Sequence, residues 1–192
     1  MKTDIILAGV GGQGILSIAT VIGTAAMANN LYIKQAETHG MSQRGGAVQS
    51  DLRLSDRPIA SDLIPLGQAD IILSVEPMEA LRYLPFLKPD GWVVTSSAPM
   101  INVPDYPEVE RVLDVLRARE RTVLVDADRL ATEAGNIKAS NMVMLGAATP
   151  FIHLTAADME QAIRTIFGRK GDDVVAVNIE ALRRGIEAAA RP

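Results

Sequence analysis

Short runs of consecutive apolar residues alternate along the chain with stretches in which apolar residues recur every three or four positions. The first run, Ile5 to Ala8, is continuous, as in a strand buried on both faces of a parallel sheet. After Gly14 the spacing changes. Ile15, Ala19, Ile22 and Ala26 recur at helical intervals, and Ile18, Val21 and Ala25 widen the stripe. A helix apolar over so much of its surface is covered on most sides. Asn29-Asn30 marks its stop, and Leu31 to Ala36 is a second strand candidate. Residues 37–46 are polar and glycine-rich. Ala47 to Leu54 then alternates through Val48, Leu52 and Leu54, broken by Asp51, which predicts an exposed or edge strand able to run antiparallel.

The remainder repeats the same punctuation. Ile71-Ile72-Leu73 is a buried strand, and Pro77 opens a helix with Met78, Leu81 and Leu84 on one face. Pro89-Asp90-Gly91 predicts a turn before the strand Trp92-Val93-Val94. Asp105 and Glu108 have capping-box spacing ahead of the stripe Val109, Val112, Leu113, Leu116. Val123 to Val125 is a strand ending at Asp126, and residues 128–134 form a helix stopped by Gly135. Asn141, with N-cap chemistry, heads "NMVMLGAA", whose Gly146, Ala147 and Ala148 allow close packing against this chain's sheet or a partner. Thr155 and Asp158 cap a further helix, and Val175, Ile179, Leu182 and Ile186 stripe the last one. Strands alternating with helices predict a three-layer α/β/α, Rossmann-like fold. Its sheet is largely parallel, with a candidate antiparallel edge strand.

Bulk properties narrow the function classes. A length of 192 residues suits one domain spanning 1–192. A net charge of −4 argues against a general nucleic-acid binder. The chain has no cysteine, which excludes disulfides, thiolate zinc sites and cysteine-held iron–sulfur clusters within it. Neither a leader peptide nor a run of about 18 apolar residues is present, so a cytoplasmic protein without membrane contact is expected.

Gly9, Gly11 and Gly14 fit G-x-G-x-x-G between the first strand and the first helix. Glycines permit positive φ and close approach, and the unpaired first-turn amides of a helix suit an anion. Three readings stand: a dinucleotide site, another anion or partner site, or a tight turn with no ligand. A dinucleotide site needs an acidic residue about 20 positions on to hold a ribose. Glu37 is the candidate, 23 residues after Gly14, but a second glycine-rich loop follows it instead of a helix. Gln13 is unexplained by that reading. Its amide suits a ligand, a partner or a neighbouring loop.

"GVGGQGIL" (9–16), "ETHGMSQRGGAVQSDLRLSDRPI" (37–59), "NMVMLGAA" (141–148) and "NIEALRRG" (178–185) together resemble the gamma subunit or domain of 2-oxoacid:ferredoxin oxidoreductases, in the family's order over essentially the whole chain. The "HGMSQRGG" form at 39–46 is most similar to the small (beta) subunit of the indolepyruvate branch. The resemblance implies a division of labour. A large alpha subunit carries thiamine diphosphate, magnesium and [4Fe–4S] clusters, ferredoxin accepts the electrons, and coenzyme A takes the acyl group. This chain would complete the complex and be inactive alone. It would bind none of these cofactors by itself, with coenzyme A meeting it at the interface. A pyruvate- or 2-oxoglutarate-type gamma subunit, a free-standing NAD(P)- or flavin-binding protein, and a non-catalytic scaffold are the alternatives.

Within that frame Gly9, Gly11, Gly12, Gln13 and Gly14 form a ligand or interface loop. Ser42, Gln43, Arg44, Gly45 and Gly46 form a second one. Arg44 is either an anion clamp, since a guanidinium forks onto phosphate or carboxylate, or a structural arginine bonding loop carbonyls. Glu37 could brace it, and Met41 would be an apolar anchor at the interface. His39 is the candidate catalytic residue, as proton donor or substrate hydrogen bond, or else it braces the loop. His153 lies in an apolar setting and is read as structural. No metal ligands are assigned.

Overall fold

The structure, a computed structural model, describes residues 1–40, 45–101 and 103–190. Among the described residues six strands form one sheet: Lys2–Val10 (β1), Tyr32–His39 (β2), Ala47–Ser55 (β3), Ala69–Ser74 (β4), Leu87–Ser96 (β5) and Thr122–Val125 (β6). Their spatial order is β2-β3-β1-β4-β5-β6. β1, β4, β5 and β6 are parallel to their neighbours in that series, whereas β3 runs antiparallel to both β1 and β2. The helices are Ile15–Ala28 (α1), Pro77–Arg82 (α2), Val109–Arg117 (α3), Ala127–Glu133 (α4), Ser140–Ala148 (α5), Ala156–Phe167 (α6) and Asp172–Ala189 (α7).

Alternate residues of β1 serve two cores, as period-two geometry demands. Ile5 and Leu7 join α1 and α4–α7 in the larger core, while Ile6 and Ala8 join α2 and α3 in the smaller one. The result is the expected three-layer arrangement. Within the larger core α5 and α7 cross with backbone nearly touching backbone. A Cβ on Gly146 would lie 2.0 Å from the Leu182 carbonyl oxygen, and one on Gly185 would lie 1.9 Å from that of Val143. The small residues of "NMVMLGAA" therefore pack against α7 of the same chain.

Four local expectations are corrected. β3 lies one strand in from the edge, β2 being outermost. It is also not exposed, because the polar residues on its second face are buried: Asp51 is 3% exposed and Arg53 9%. They are covered by the segment 56–68, which they hold. Arg53 forks onto Asp4 at 2.9 and 3.1 Å and donates to the carbonyls of Ser61 and Leu63. Asp51 accepts from the Ile64 amide at 3.0 Å. A polar strand face is thus satisfied by loop backbone instead of water.

Pro89-Asp90-Gly91 does not form a turn ahead of the strand. It lies inside β5, where register passes from Ala69–Leu87 to Ile71–Trp92, so several residues bulge opposite Asp70. Asp105 does not cap α3. The cap position is Glu108, without a side-chain bond, because Pro107 drives Tyr106 away from helical torsions. Asn141 sits inside α5 and does not cap it. A 3₁₀ turn at Ile137–Ala139, capped by Asn136, leads directly into α5 and takes over that task. The Thr155–Asp158 capping box forms as expected, with both reciprocal bonds present.

Candidate functional site

β1 ends at Val10, and Gly14 delivers the chain into α1 from a left-handed conformation, φ 81°. An L-residue there would be strained. The first turn of α1 contains no acidic side chain, so its partial positive charge is left uncompensated. Gln13 spans the carboxyl ends of β1 and β4. Its Oε1 accepts from the Val10 amide at 2.8 Å, and its Nε2 donates to the Val75 carbonyl at 3.3 Å. In a doubly wound sheet this crevice is where strand order reverses and nucleotides settle. Here a side-chain amide bridges it. Asn141 adds a third tether: its Nδ2 donates to the Gly14 carbonyl at 3.2 Å.

The two glycine loops meet. The Gly11 amide donates to the Gly46 carbonyl at 2.8 Å, and the Gly45 amide donates to the Gly11 carbonyl at 3.4 Å. Ser42, Gln43 and Arg44, with Met41, lie outside the described residues. Beside this junction is a cleft of about 450 Å³, within the range of small-molecule sites. Val10, Ile15, Leu16 and Val48 supply apolar walls, Gly11 and Gly12 supply backbone, and Glu37 and His39 supply the polar rim. His39 is exposed and its Nδ1 lies 3.0 Å from the Gly40 carbonyl. With the proton on Nδ1 the ring donates there and leaves Nε2 free to accept.

The fold therefore gathers Gly11, Gly12, Gly14 and His39 around one cleft, with Gly45 and Gly46 tied to it through Gly11. Gln13 faces away, into a separate cavity of about 310 Å³ with Val75, Ser96 and Lys138. Glu37 is the only side chain with a full charge on the described cleft walls. Apolar walls suit an acyl, aryl or thioalkyl arm. No cationic lysine or arginine stands on the described walls, so a phosphate there would meet only the backbone amides at the start of α1.

Glu37 does not meet the dinucleotide requirement. It pairs with Ser50 of β3, which pairs with Leu7 of β1. Two strand spacings, roughly 10 Å, separate it from β1, twice the separation of adjacent strands.

Sequence reasoning missed Glu76. This carboxylate is 1% exposed and sits beside a cavity of about 230 Å³ that also touches Gly45 and Gly46. It caps α2 by accepting from the Glu79 amide at 2.8 Å. It also accepts from the Met100 amide and the Tyr106 hydroxyl, tying both residues to the start of α2. Burial first, and then this bond to an anion, push the Tyr106 hydroxyl well above the ordinary tyrosine range. The signal in the sequence was an acidic residue directly before Pro77, where an N-cap belongs. Glu79 is raised chiefly by burial, opposed by its bond to Arg82.

The sequence model of the family described as pyruvate ferredoxin/flavodoxin oxidoreductase matches residues 4–188. The indolepyruvate oxidoreductase subunit IorB of Pyrococcus horikoshii is 37% identical over 196 aligned positions, covering 97% of this chain and 95% of that one. The 2-oxoglutarate synthase subunit KorC of Methanothermobacter thermautotrophicus is 32% identical, covering 85% of this chain and 84% of its own. The fold recurs in a keto/oxoacid ferredoxin oxidoreductase gamma subunit from Geobacter sulfurreducens, with TM-score 0.70, 23% identity and 99% coverage of both chains. It also recurs in the 2-oxoglutarate:ferredoxin oxidoreductase of Magnetococcus marinus, whose structure has 2-oxoglutarate, coenzyme A and succinyl-CoA bound. That likeness has TM-score 0.78 and 22% identity, covering 100% of this chain and 31% of the other. Matched along nearly its whole length by the family's sequence pattern and by relatives above 30% identity, the chain belongs to the pyruvate ferredoxin/flavodoxin oxidoreductase family.

Proposed function

We propose that this chain is the small, gamma-type subunit of an indolepyruvate-type 2-oxoacid:ferredoxin oxidoreductase. The complex would oxidatively decarboxylate aryl 2-oxoacids to acyl-CoA and reduce ferredoxin. The observation carrying this reading is the joining of the two glycine loops, Gly11 to Gly46, beside an open, mainly apolar cleft. Relatives named as indolepyruvate oxidoreductase subunits support the branch. Thiamine diphosphate in a large partner subunit supplies the carbanion-stabilising chemistry, with magnesium and iron–sulfur clusters held there too. This chain has no cysteine, and among the described residues no group of three metal-ligating side chains comes together.

This chain's own part is to position and to exclude water. Val10, Ile15, Leu16 and Val48 would shield a thioalkyl or aryl arm, and His39 Nε2 would accept a hydrogen bond at the rim. The cleft fits the acyl-bearing arm of coenzyme A better than its phosphates, since Glu37 is the charge on its described walls. We assign the anion-clamp role to Arg44, with Ser42 and Gln43 beside it. A free-standing NAD(P) or flavin protein is disfavoured by the Gln13 bridge.

Co-expression with the candidate large subunit tests the reading. The complex should reduce ferredoxin with indolepyruvate or phenylpyruvate and coenzyme A, and the small chain alone should not. Turnover by the isolated chain, or a preference for pyruvate or 2-oxoglutarate over both aryl acids, overturns it. Within the complex, Arg44→Ala should raise the KM for coenzyme A or weaken assembly. No change in either removes the clamp.

A further inference from the structure

We propose that a cavity behind the glycine loop, between α1, α5 and α7, is a nucleoside-phosphate site separate from the cleft. It measures about 400 Å³. Lys138 and Lys170 flank it, and Asp173, Val174, Val177 and Asn178 of α7 form one wall. The chain is acidic overall, and on α4 and α7 beside the cavity the arginines are neutralised. Arg129, Arg183 and Arg184 all contact glutamates at 2.6–2.9 Å. Lys138 and Lys170 differ: among the described residues neither has a carboxylate within ion-pair distance. Asp173, in the same cavity, forms no ion pair with either of them. Lys170 is held over the Phe167 ring at 5.3 Å, at the cavity edge.

The remaining hydrogen-bonding capacity is mixed. Asn178 donates its Nδ2 to the Val174 carbonyl at 2.7 Å, which leaves its side-chain oxygen to accept. Asn136 accepts the Lys138 amide at 3.0 Å on Oδ1, which leaves its NH₂ to donate. Two ammonium groups, one carboxylate, spare amide donors and acceptors, and a valine ledge form a set that no single simple ligand uses. An inorganic anion would be repelled by Asp173. A bare nucleoside would leave both lysines unused. A nucleoside phosphate uses all of them: phosphates on Lys138 and Lys170, ribose hydroxyls on Asp173, and the base along Val174 and Val177 with its edge on the asparagines. This assignment does not depend on the large subunit or on the aryl 2-oxoacid reading.

Calorimetric titration of the full chain with ADP, adenosine, inorganic phosphate and coenzyme A provides the test. ADP should bind saturably and at least tenfold tighter than adenosine or phosphate. The double substitution Lys138→Ala/Lys170→Ala should weaken ADP at least tenfold, and Asp173→Asn should weaken ADP while leaving phosphate unchanged or improved. All three side chains are on exposed residues, so the variants should retain the fold, checked by circular dichroism and by unchanged thermal midpoints. ADP should also shift the side-chain amide resonances of Asn136 and Asn178. Coenzyme A binding as tightly as ADP or tighter would identify the nucleotide half of a larger cofactor as the occupant; weaker coenzyme A binding would identify a free nucleotide. ADP no tighter than phosphate, ADP affinity within twofold of wild type in the lysine variant, or shifts confined to Gly11–Gly14 would overturn the assignment.

Discussion

Gln13 and Tyr106 show how much a single side chain decides here. In the sequence Gln13 was equally compatible with touching a ligand, a partner or a loop. The structure gives its amide two backbone partners, Val10 at the end of β1 and Val75 just past the end of β4. Gln13→Ala should therefore leave a donor and an acceptor unpaired and cost about 1–3 kcal/mol in urea unfolding. Tyr106 carries a pH dependence. Its hydroxyl is raised above 10.0 in the folded chain by burial and by Glu76. A group whose folded pKa is raised contributes its stability fully below the unfolded value and loses it as pH climbs from there towards the folded value. Wild type should accordingly exceed Tyr106→Phe in stability at pH 7, and the gap should shrink above pH 10. Urea midpoints measured from pH 7 to 11 read this directly, and a constant gap would place the tyrosine outside the linkage.

At the scale of elements, the most constrained feature is the α5–α7 crossing. Gly146 and Gly185 each face backbone atoms of the other helix, which cannot rotate aside as a side chain would. Gly146→Ala and Gly185→Ala should each destabilise by about 1–3 kcal/mol or more, although alanine is the better helix former on a free surface. Thermal unfolding of the two variants checks the sign. The helices themselves were legible from spacing, since Val175, Ile179 and Leu182 are buried as their period predicts. The reading of β3 failed for a physical reason. Alternation reports which residues are polar, not whether water or another segment satisfies them. Arg53 and Asp51 are buried because segment 56–68 brings carbonyls and an amide to them.

For the whole molecule, the question is what the glycine loop serves. The carboxyl ends of β1 and β4 are bridged by Gln13, and Glu37 is two strands from β1. Titration with NADH should thus show no saturable binding that competes with ligands of the Gly11–Gly14 cleft; NADH fluorescence and competition calorimetry measure it. Exposed Leu16, Met100, Ile101 and Val103 cluster around the cleft and the segment tied to Glu76 beside it. Apolar surface of this kind is consistent with a covering partner. Among the described residues no helix is long and apolar enough to cross a membrane.

The sequence alone determined the layered α/β order, the helix stripes, the glycine loop at a helix start and the family resemblance, because these are local or collinear properties of the chain. Tertiary structure alone decided that the two glycine loops bond to each other, that Gln13 turns inward while His39 turns to the cleft, and that Asn141 tethers Gly14 from 127 residues away. It also revealed Glu76 as the buried acceptor of two distant donors. Those outcomes depend on which strands become neighbours. Inserting β3 between β2 and β1 sets Glu37 two strands from β1, across a cleft from the glycine loop, and no periodicity along the chain encodes that choice.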